Sequence, residues 1–413
     1  MSAWRTHRIG ELGRIVTGKT PPASLPEMFC GTVPFLTPTD MKDDCRHVVT
    51  GRAVSTAWDP KSRALLPAQT ICVVCIGATI GKICMTTEPT HTNQQVNSII
   101  VDTTRFDPYF IYYAMRLKAS ELKSRAAGAA TPIINKTAFS SVTIESPDLP
   151  TQKRIASFLT AYDDLIEVNR QRLTLLKDMS HGLFEEIVRR AQIEAPGNYV
   201  AMTDLVASTL GGDWGTDEPD EENNHQVRVI RGTDLRRISD GDFSSCPTRY
   251  ISASSALKRT LRPHDVVLEN SINARTRAAG TTHFCTQGML DRLGGSVIAA
   301  SFCRVFRFRL PEEAAVFHLE LQRMHHSGEI EKFQVVAANG IANFQTTPFL
   351  RDARARLSIE ENRNAIKKVL PLLDTRFAEQ IGMLTASRNH LLPRLISGQL
   401  SVAAAERELL EAA

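Results

Sequence analysis

A run of 18 or more uncharged apolar residues is missing from this 413-residue sequence, and with it the length of apolar helix needed to cross a bilayer. The N-terminal MSAWRTHRIGELGR lacks the apolar core of a signal peptide, so a cytosolic protein without a membrane partner is expected. Gly-x-Gly occurs nowhere, and Pro-Pro occurs once, at Pro21-Pro22 before Ala23. The glycine-rich cofactor loop and the Pro-Pro-aromatic loop of a methyl-transfer enzyme are therefore both lacking. A phosphate-cradling Walker loop and the Gly-x-Ser-x-Gly elbow are absent too. Pro-Asp stands at 147–148 and 219–220, but no Asp/Glu-x-Lys follows either one, as a nuclease site of that kind would require. His325 and His326 are adjacent on an expected helix and do not share a face, which argues against one shared metal.

The cysteines, eight in all, include one close pair, Cys72-x-x-Cys75, in the apolar run TICVVCIG. No second pair at ligand spacing accompanies it, so the reading is buried core thiols rather than a zinc site. Hydrophobic content of 42% and charged content of 23% are those of a folded protein. The length suits two to four units. Net charge is only +4, and residues 1–150 hold that excess. The acidic stretch 211–226, with six Asp/Glu between Asp213 and Glu222, reads as a solvated loop.

What is present is a duplicated helical seam. From Thr151 to Arg190, spacings of four and three pick out Ile155, Leu159, Tyr162, Ile166, Asn169, Leu173, Leu176, Ser180, Leu183 and Ile187. A stripe this narrow marks a coiled coil, and the forty residues would make a rod of roughly 60 Å. The same pattern returns as Ile366, Leu370, Leu373, Phe377, Gln380, Leu384, Ser387 and Leu391. The polar Asn169 recurs as Gln380, where either a register-fixing role or an exposed seam edge is open. Pro371 should kink or restart the second helix. Asp163 and Asp164 are expected on the solvent side of the seam. Leu391, Leu392 and Leu395 fit core or docking equally well.

The segments before each helix echo one another. FLTPTDMKD (35–43) pairs with VIRGTDLRR (229–237), LLPAQTICVV (65–74) with TLRPHDVVLE (260–269), and AAGAATPIIN (126–135) with AANGIANFQT (337–346). The chain reads as globule, long helix, globule, long helix, a tandem duplication. Strands are expected at 70–76, 96–101, 226–231, 264–269 and 296–309, and helices at 107–127 and 312–332. Phe306 and Phe308 share one face of their strand, with Arg307 and Arg309 on the other.

Four passages resemble the specificity subunits of type I restriction–modification enzymes: IVTGKTPP (15–22), LLPAQTICVVCIGATIGKI (65–83) with TNQQVNSII (92–100), PTQKRIASFLTAYDDLIEVNRQRLTLLKDM (150–179), and SRNHLLPRLISGQLSV (387–402). The last two are the most specific. With the repeat order, the resemblance covers most of the chain and is thinnest over 200–300. It implies an α+β architecture with a pseudo-twofold repeat: two mixed α/β target-recognition domains separated by two long antiparallel coiled-coil helices. The expected boundaries are 1–150 for the first recognition domain, 151–195 for the central spacer helix, 196–357 for the second recognition domain and 358–413 for the C-terminal spacer helix.

The resemblance further implies a non-catalytic subunit that reads a bipartite, asymmetric site in double-stranded DNA. Adenine methylation and cleavage would be carried out by two methyltransferase subunits and by motor–nuclease subunits. No cofactor is expected in this chain, while the partners would use S-adenosylmethionine, ATP and Mg. A stiff helix pair suits this work, because groove faces recur about every 34–36 Å and a flexible linker would not fix half-site spacing. Two other readings stand beside it, an uncharacterised nuclease and a coiled-coil adaptor that binds no DNA.

Base edges are read by Arg or Lys at guanine and by Asn or Gln at adenine. In the first globule the candidates are Lys19, Thr20, Lys82, Asn93, Gln94 and Gln95; in the second they are Asn270, Asn273, Arg275 and Arg277. The seam set is Ile155, Leu159, Tyr162, Ile166, Leu173, Leu176, Ile366, Leu370, Leu373, Phe377, Leu384 and Leu391. Outward residues of the rods and LLPRLISG are candidates for docking the methyltransferase subunits.

Overall fold

A computed structural model describes residues 4–42, 45–58, 65–126, 132–273, 278–374 and 376–412. The chain divides into two compact units. One comprises Met1–Asp164 with Thr385–Ala413, and the other Leu165–Leu384.

Two sheets of the first unit are built from β1 (Gly13–Thr17), β2 (Val33–Leu36), β3 (Ala53–Val54), β4 (Ile71–Val74), β5 (Ile83–Met85), β6 (His91–Thr92) and β7 (Val96–Val101), and a separate antiparallel pair joins Arg5–Arg8 to Thr143–Ser146. The four-stranded sheet runs β1-β7-β4-β5, and the three-stranded one β3-β2-β6. Strand β4 is central, bonded antiparallel to β7 and β5, and all its residues are buried. That is why its sequence is a continuous apolar run rather than an alternation. The helix α1 (Pro108–Leu117) starts with Asp107 accepting from the Phe110 N–H and proline in its first turn, as helix entry favours. The helix expected over 107–127 breaks at Lys118, and a second short helix covers Ala119–Arg125.

The central long helix α2 is Leu149–Glu194. Its buried stripe includes Ile155, Leu159, Tyr162, Ile166, Asn169, Leu173, Ser180 and Ile187, with Leu176 and Leu183 half-buried.

The second unit repeats the strand pattern with β8 (Val206–Gly211), β9 (His225–Ile230), β10 (Thr248–Ile251), β11 (Val266–Glu269), β12 (Thr282–Phe284), β13 (Ser296–Ala299) and β14 (Cys303–Phe308). The two repeated sheets run β8-β14-β11-β12 and β10-β9-β13, and the strands Ser271–Asn273, Ile341–Phe344 and Gln334–Val336 form a further sheet of three. The single strand expected at 296–309 is thus two: the chain leaves one sheet after Ala299 and enters the other at Cys303. Phe306 is buried, and Arg307 on the opposite face pairs with Asp265 at 3.4 Å. The helix α3 (Pro311–His326) ends before Gly328, whose φ of 78° starts a 3-10 turn.

Among the described residues the non-glycine positions with positive φ are Gln69 (61°) and His264 (70°). Each lies two residues before a central strand, and each amide donates across the sheet at 2.8 Å, to Thr86 and Cys285 respectively. Such a conformation costs roughly 1–2 kcal/mol, so its return at the matching place reflects one turn built twice.

The second long segment is interrupted. Helix α4 (Ile359–Ile366) is followed by a 3-10 turn, Leu370–Leu373, and by α5 (Arg376–Ile396). The break falls at Pro371, which has no amide to continue the helix. Ile366 is buried in the core of the second unit, with Leu370 and Leu373 packed partly against it. In α5 the buried residues are Ala378, Ile381, Arg388, Leu391, Leu392, Leu395 and Ile396, with Phe377 and Leu384 half-buried. Gln380 is exposed, whereas Asn169 is buried. The buried stripe is set by Ala378 and Arg388, which a search for large apolar residues passes over. In the second unit, Ile166, Leu173, Ala378 and Ile381 form one cluster, with Phe377 and Leu384 against it. Arg172 stacks on Phe377 at 5.5 Å, and in the first unit Asp163 meets Arg388. Rising numbers on one helix meet falling numbers on the other, so α2 and α5 run antiparallel where they touch.

Asp163 corrects an expectation. Asp164 is exposed, but Asp163 is buried and accepts from the Tyr113 hydroxyl at 2.6 Å and from Arg388 at 2.5 Å. Burial, then the Asp163 charge, push the Tyr113 hydroxyl pKa upward. The partner helix supplies the arginine that makes this burial tolerable, and helix periodicity carries no sign of that.

Candidate nucleic-acid interface

The ends of the strands bring the same loops together in each unit, held by the same backbone bonds. In the first unit Gly18 N–H donates to Val96 O (3.0 Å), Lys19 to Thr92 O (2.8 Å), Asn93 to Leu36 O (3.2 Å), Cys75 to Gln95 O (2.8 Å) and Ile134 to Cys75 O (2.8 Å). In the second Gly212 donates to Cys303 O (3.3 Å), Asp213 to Ala299 O (2.9 Å), Ala300 to Ile230 O (2.8 Å), Asn270 to Phe302 O (2.9 Å) and Phe344 to Asn270 O (2.8 Å). Thr37 and Arg231 each donate an amide to an aspartate three residues on, Asp40 and Asp234.

Glycine is required where the first turn crosses the second. A Cβ on Gly18 would lie 2.2 Å from the carbonyl oxygen of Asn93, and one on Gly212 would lie 2.0 Å from that of Ala300. The bonds align Thr20 with Trp214, Gln94 with Ser301, and Gln95 with Phe302. One scaffold therefore presents two different sets of side chains.

In the first unit Lys19, Thr20, Asn93, Gln94 and Gln95 come together. The Thr20 hydroxyl donates to Gln94 Oε1 at 2.6 Å, Asn93 Nδ2 donates to Gln95 Oε1 at 2.8 Å, and Lys19 and Gln94 are exposed. This is a short polar ladder with donors and acceptors of the kind that read base edges. Lys82 is placed otherwise: it is half-buried, and its ammonium donates to Met41 O at 2.9 Å.

In the second unit Asn270 is half-buried, with its side-chain oxygen buried and unbonded among the described residues. Asn273 is exposed at the end of a strand, Ser271–Asn273, that pairs with Ile341–Phe344. Arg275 and Arg277 lie outside the described residues. Beside Asn270 the loops enclose a cavity of about 750 Å³, lined among others by Trp214, Arg231, Glu269, Ser271, Phe302 and Asn343. Arg231 is bonded to Asp234 at 2.9 Å. Burial draws the Asp234 carboxyl upward, but hydrogen bonds from the Arg231 side chain and backbone outweigh it and hold the pKa below the usual range. Asp213 behaves alike: burial opposes ionisation, while Ser255, Trp214 N–H and Gly215 N–H more than compensate. The acidic loop is partly satisfied from within, since Asp220 accepts from the Glu222 and Asn223 amides, and partly from β10, where Arg249 pairs with Asp217.

The sequence reading passed over Trp214, Ser301 and Phe302. The repeat held the signal, but the spacing between equivalents differs from loop to loop (Gly18 with Gly212, Val96 with Cys303), so one constant offset taken from the helices hides it. Elsewhere Leu391, Leu392 and Leu395 are core residues. Cys72 and Cys75 are buried, and burial pushes the Cys75 thiol up to about 11.

These features define a duplicated two-unit chain with repeated loop clusters and long paired helices. The fold is that of a crystal structure of the type I restriction–modification system S subunit from M. genitalium, which matches 95% of this chain and 96% of its own at 12% identity, with a TM-score of 0.58. Residues 1–178 match the family described as type I restriction modification DNA specificity domain. It is 35% identical over 185 residues to the type I restriction enzyme HindI specificity subunit of Haemophilus influenzae, covering 43% of this chain and 39% of that one. It is 27% identical over 187 residues to the MjaIX specificity subunit of Methanocaldococcus jannaschii, covering 44% and 43%. The chain thus spans about two-fifths of the length of these relatives.

Proposed function

We propose that this chain is the non-catalytic, sequence-specific DNA-binding subunit of a type I restriction–modification complex, and that each unit reads one half of a bipartite, asymmetric site. The observation that carries this reading is the loop cluster made twice by the same backbone bonds but dressed differently. Phosphate contacts position a protein on DNA, whereas base contacts specify; identical scaffolds with different side chains suit two unlike half-sites. In the first unit Gln94 and Lys19 are the exposed readers. The paired helices α2 and α5 would set half-site spacing.

Catalysis falls to partners: two methyltransferase subunits using S-adenosylmethionine, and motor–nuclease subunits using ATP and Mg. A second apolar stripe on α2, made of the exposed Leu165, Val168, Leu175 and Met179 at heptad spacing, supports docking of the methyltransferase subunits there. Among the described residues no helix is long and apolar enough to cross a membrane; the cytoplasm, where chromosomal DNA lies, is the proposed compartment.

The test is methylome sequencing of cells making this chain with its modification partner. A split motif with a fixed unspecific gap is expected. Methylation that follows no motif, or a continuous one, would refute the reading. DNA binding by the purified assembly should also weaken steeply with salt.

A further inference from the structure

We propose that the cavity of the second unit is a thymine-reading subsite, in which Phe302 and Trp214 present an apolar wall to the C5-methyl group of a thymine in the major groove. This rests on the DNA-reading function above and names what one of the two readers recognises. Phe302 and Trp214 stand where the first unit has Gln95 and Thr20. The latter pair offers hydrogen bonds; a phenyl ring at the same place offers none. The apolar feature on a major-groove base-pair edge is the thymine methyl.

Phe302 is 71% exposed, at the end of a turn whose backbone is committed inward: Ala300 N–H donates to Ile230 O, and Phe302 O accepts from Asn270. The turn thus holds a large apolar ring at the mouth of a cavity, mostly exposed among the described residues. The Trp214 ring is held from one side by Arg249, whose guanidinium lies 4.3 Å from the ring centroid. That arrangement leaves a preformed wall rather than a collapsed one. Polar groups share the lining, including Ser271, whose hydroxyl donates to Asn343 Oδ1 at 2.7 Å. At about 750 Å³ the space admits the edge of a base and not merely its methyl group.

The test uses the full chain and duplexes selected from a random pool, with each thymine of the selected target replaced in turn by uracil, which pairs identically but lacks the methyl. In one half of the target a single replacement is expected to weaken binding roughly four-fold, the worth of one buried methyl. Phe302→Ala should bind more weakly and lose that sensitivity, Phe302→Leu should keep part of it, and Gln95→Ala should keep all of it while altering preference in the other half. Because Phe302 is exposed, its variants fold as the parent does, and circular dichroism checks this for them and for Gln95→Ala. If a target is selected but no thymine responds to uracil, or the response persists in Phe302→Ala, the subsite is refuted and DNA reading stands. If no sequence is selected at all, both fall together.

Discussion

Burying a carboxylate is costly unless its partners come with it, and removing one partner leaves the charge stranded at a cost of about 3–5 kcal/mol. Asp163 is held by Arg388 and Tyr113 within the first unit, with Arg46 at 3.7 Å as a weaker second cation. Because Arg46 stays beside the carboxylate, Arg388→Met is expected to destabilise that unit by up to about 3 kcal/mol, and Asp163→Asn added to it should recover part of the loss; urea denaturation of the three proteins checks both. In the second unit His283 and His318 are buried. Burial, aided by Lys177 at His283 and by the neighbouring His283 and His181 at His318, lowers their pKa values to about 4 and about 3. The unfolded chain binds these protons near pH 6.5, and the folded one does not until the pH is much lower. Stability is therefore full above about 6.5 and falls as the pH drops below it, by about 1.4 kcal/mol per pH unit for each histidine, levelling off below the folded values. His7, His47, His181 and His264 are also lowered by burial and add to the slope between pH 6.5 and 5, so replacing His283 and His318 by glutamine should make it shallower without abolishing it.

At the scale of elements, the two crossing glycines govern the loop clusters. Gly18→Ala and Gly212→Ala each drive a Cβ into a backbone carbonyl. Each should cost about 1–3 kcal/mol by overpacking and weaken reading by its own unit, as thermal melts and target selection would show. Gly182 on α2 meets nothing within 4 Å, so Gly182→Ala should instead stabilise the helix by about 0.5–1 kcal/mol. The elements themselves were unequally legible. The α2 stripe could be read at its large apolar positions, where helix periodicity and burial follow one rule, though not at the buried Asp163. The α5 stripe could not, because its buried positions include Ala378 and the charged Arg388. The polar cluster of Lys19, Thr20, Asn93, Gln94 and Gln95 was visible from residue type alone. Its aromatic counterpart was not, since a Trp and a Phe in loops look like stray hydrophobes until the backbone bonds align them.

Within the whole molecule the duplication has done different things to different parts. Both sheets kept their strand order and even the strained residue before the central strand, while the loops diverged from amides to aromatics. That is the pattern expected when the scaffold is constrained by packing and the loops by what they contact. Leu175→Asp with Met179→Asp should leave the fold intact, since both side chains are exposed, yet weaken association with the proposed methyltransferase partners. Co-purification measures this, and undiminished recovery would remove the stripe from the docking surface.

The sequence by itself determined the repeat, the long helices, the break at Pro371 and the lack of recognisable catalytic motifs, because periodicity, proline chemistry and motif spacing are local properties of the chain. The tertiary structure decided which strands join which sheet, that Asp163 is buried against Arg388, and that Trp214 and Phe302 stand where Thr20 and Gln95 stand in the other unit. Those facts depend on hydrogen bonds between residues tens to hundreds of positions apart, and no local pattern encodes them.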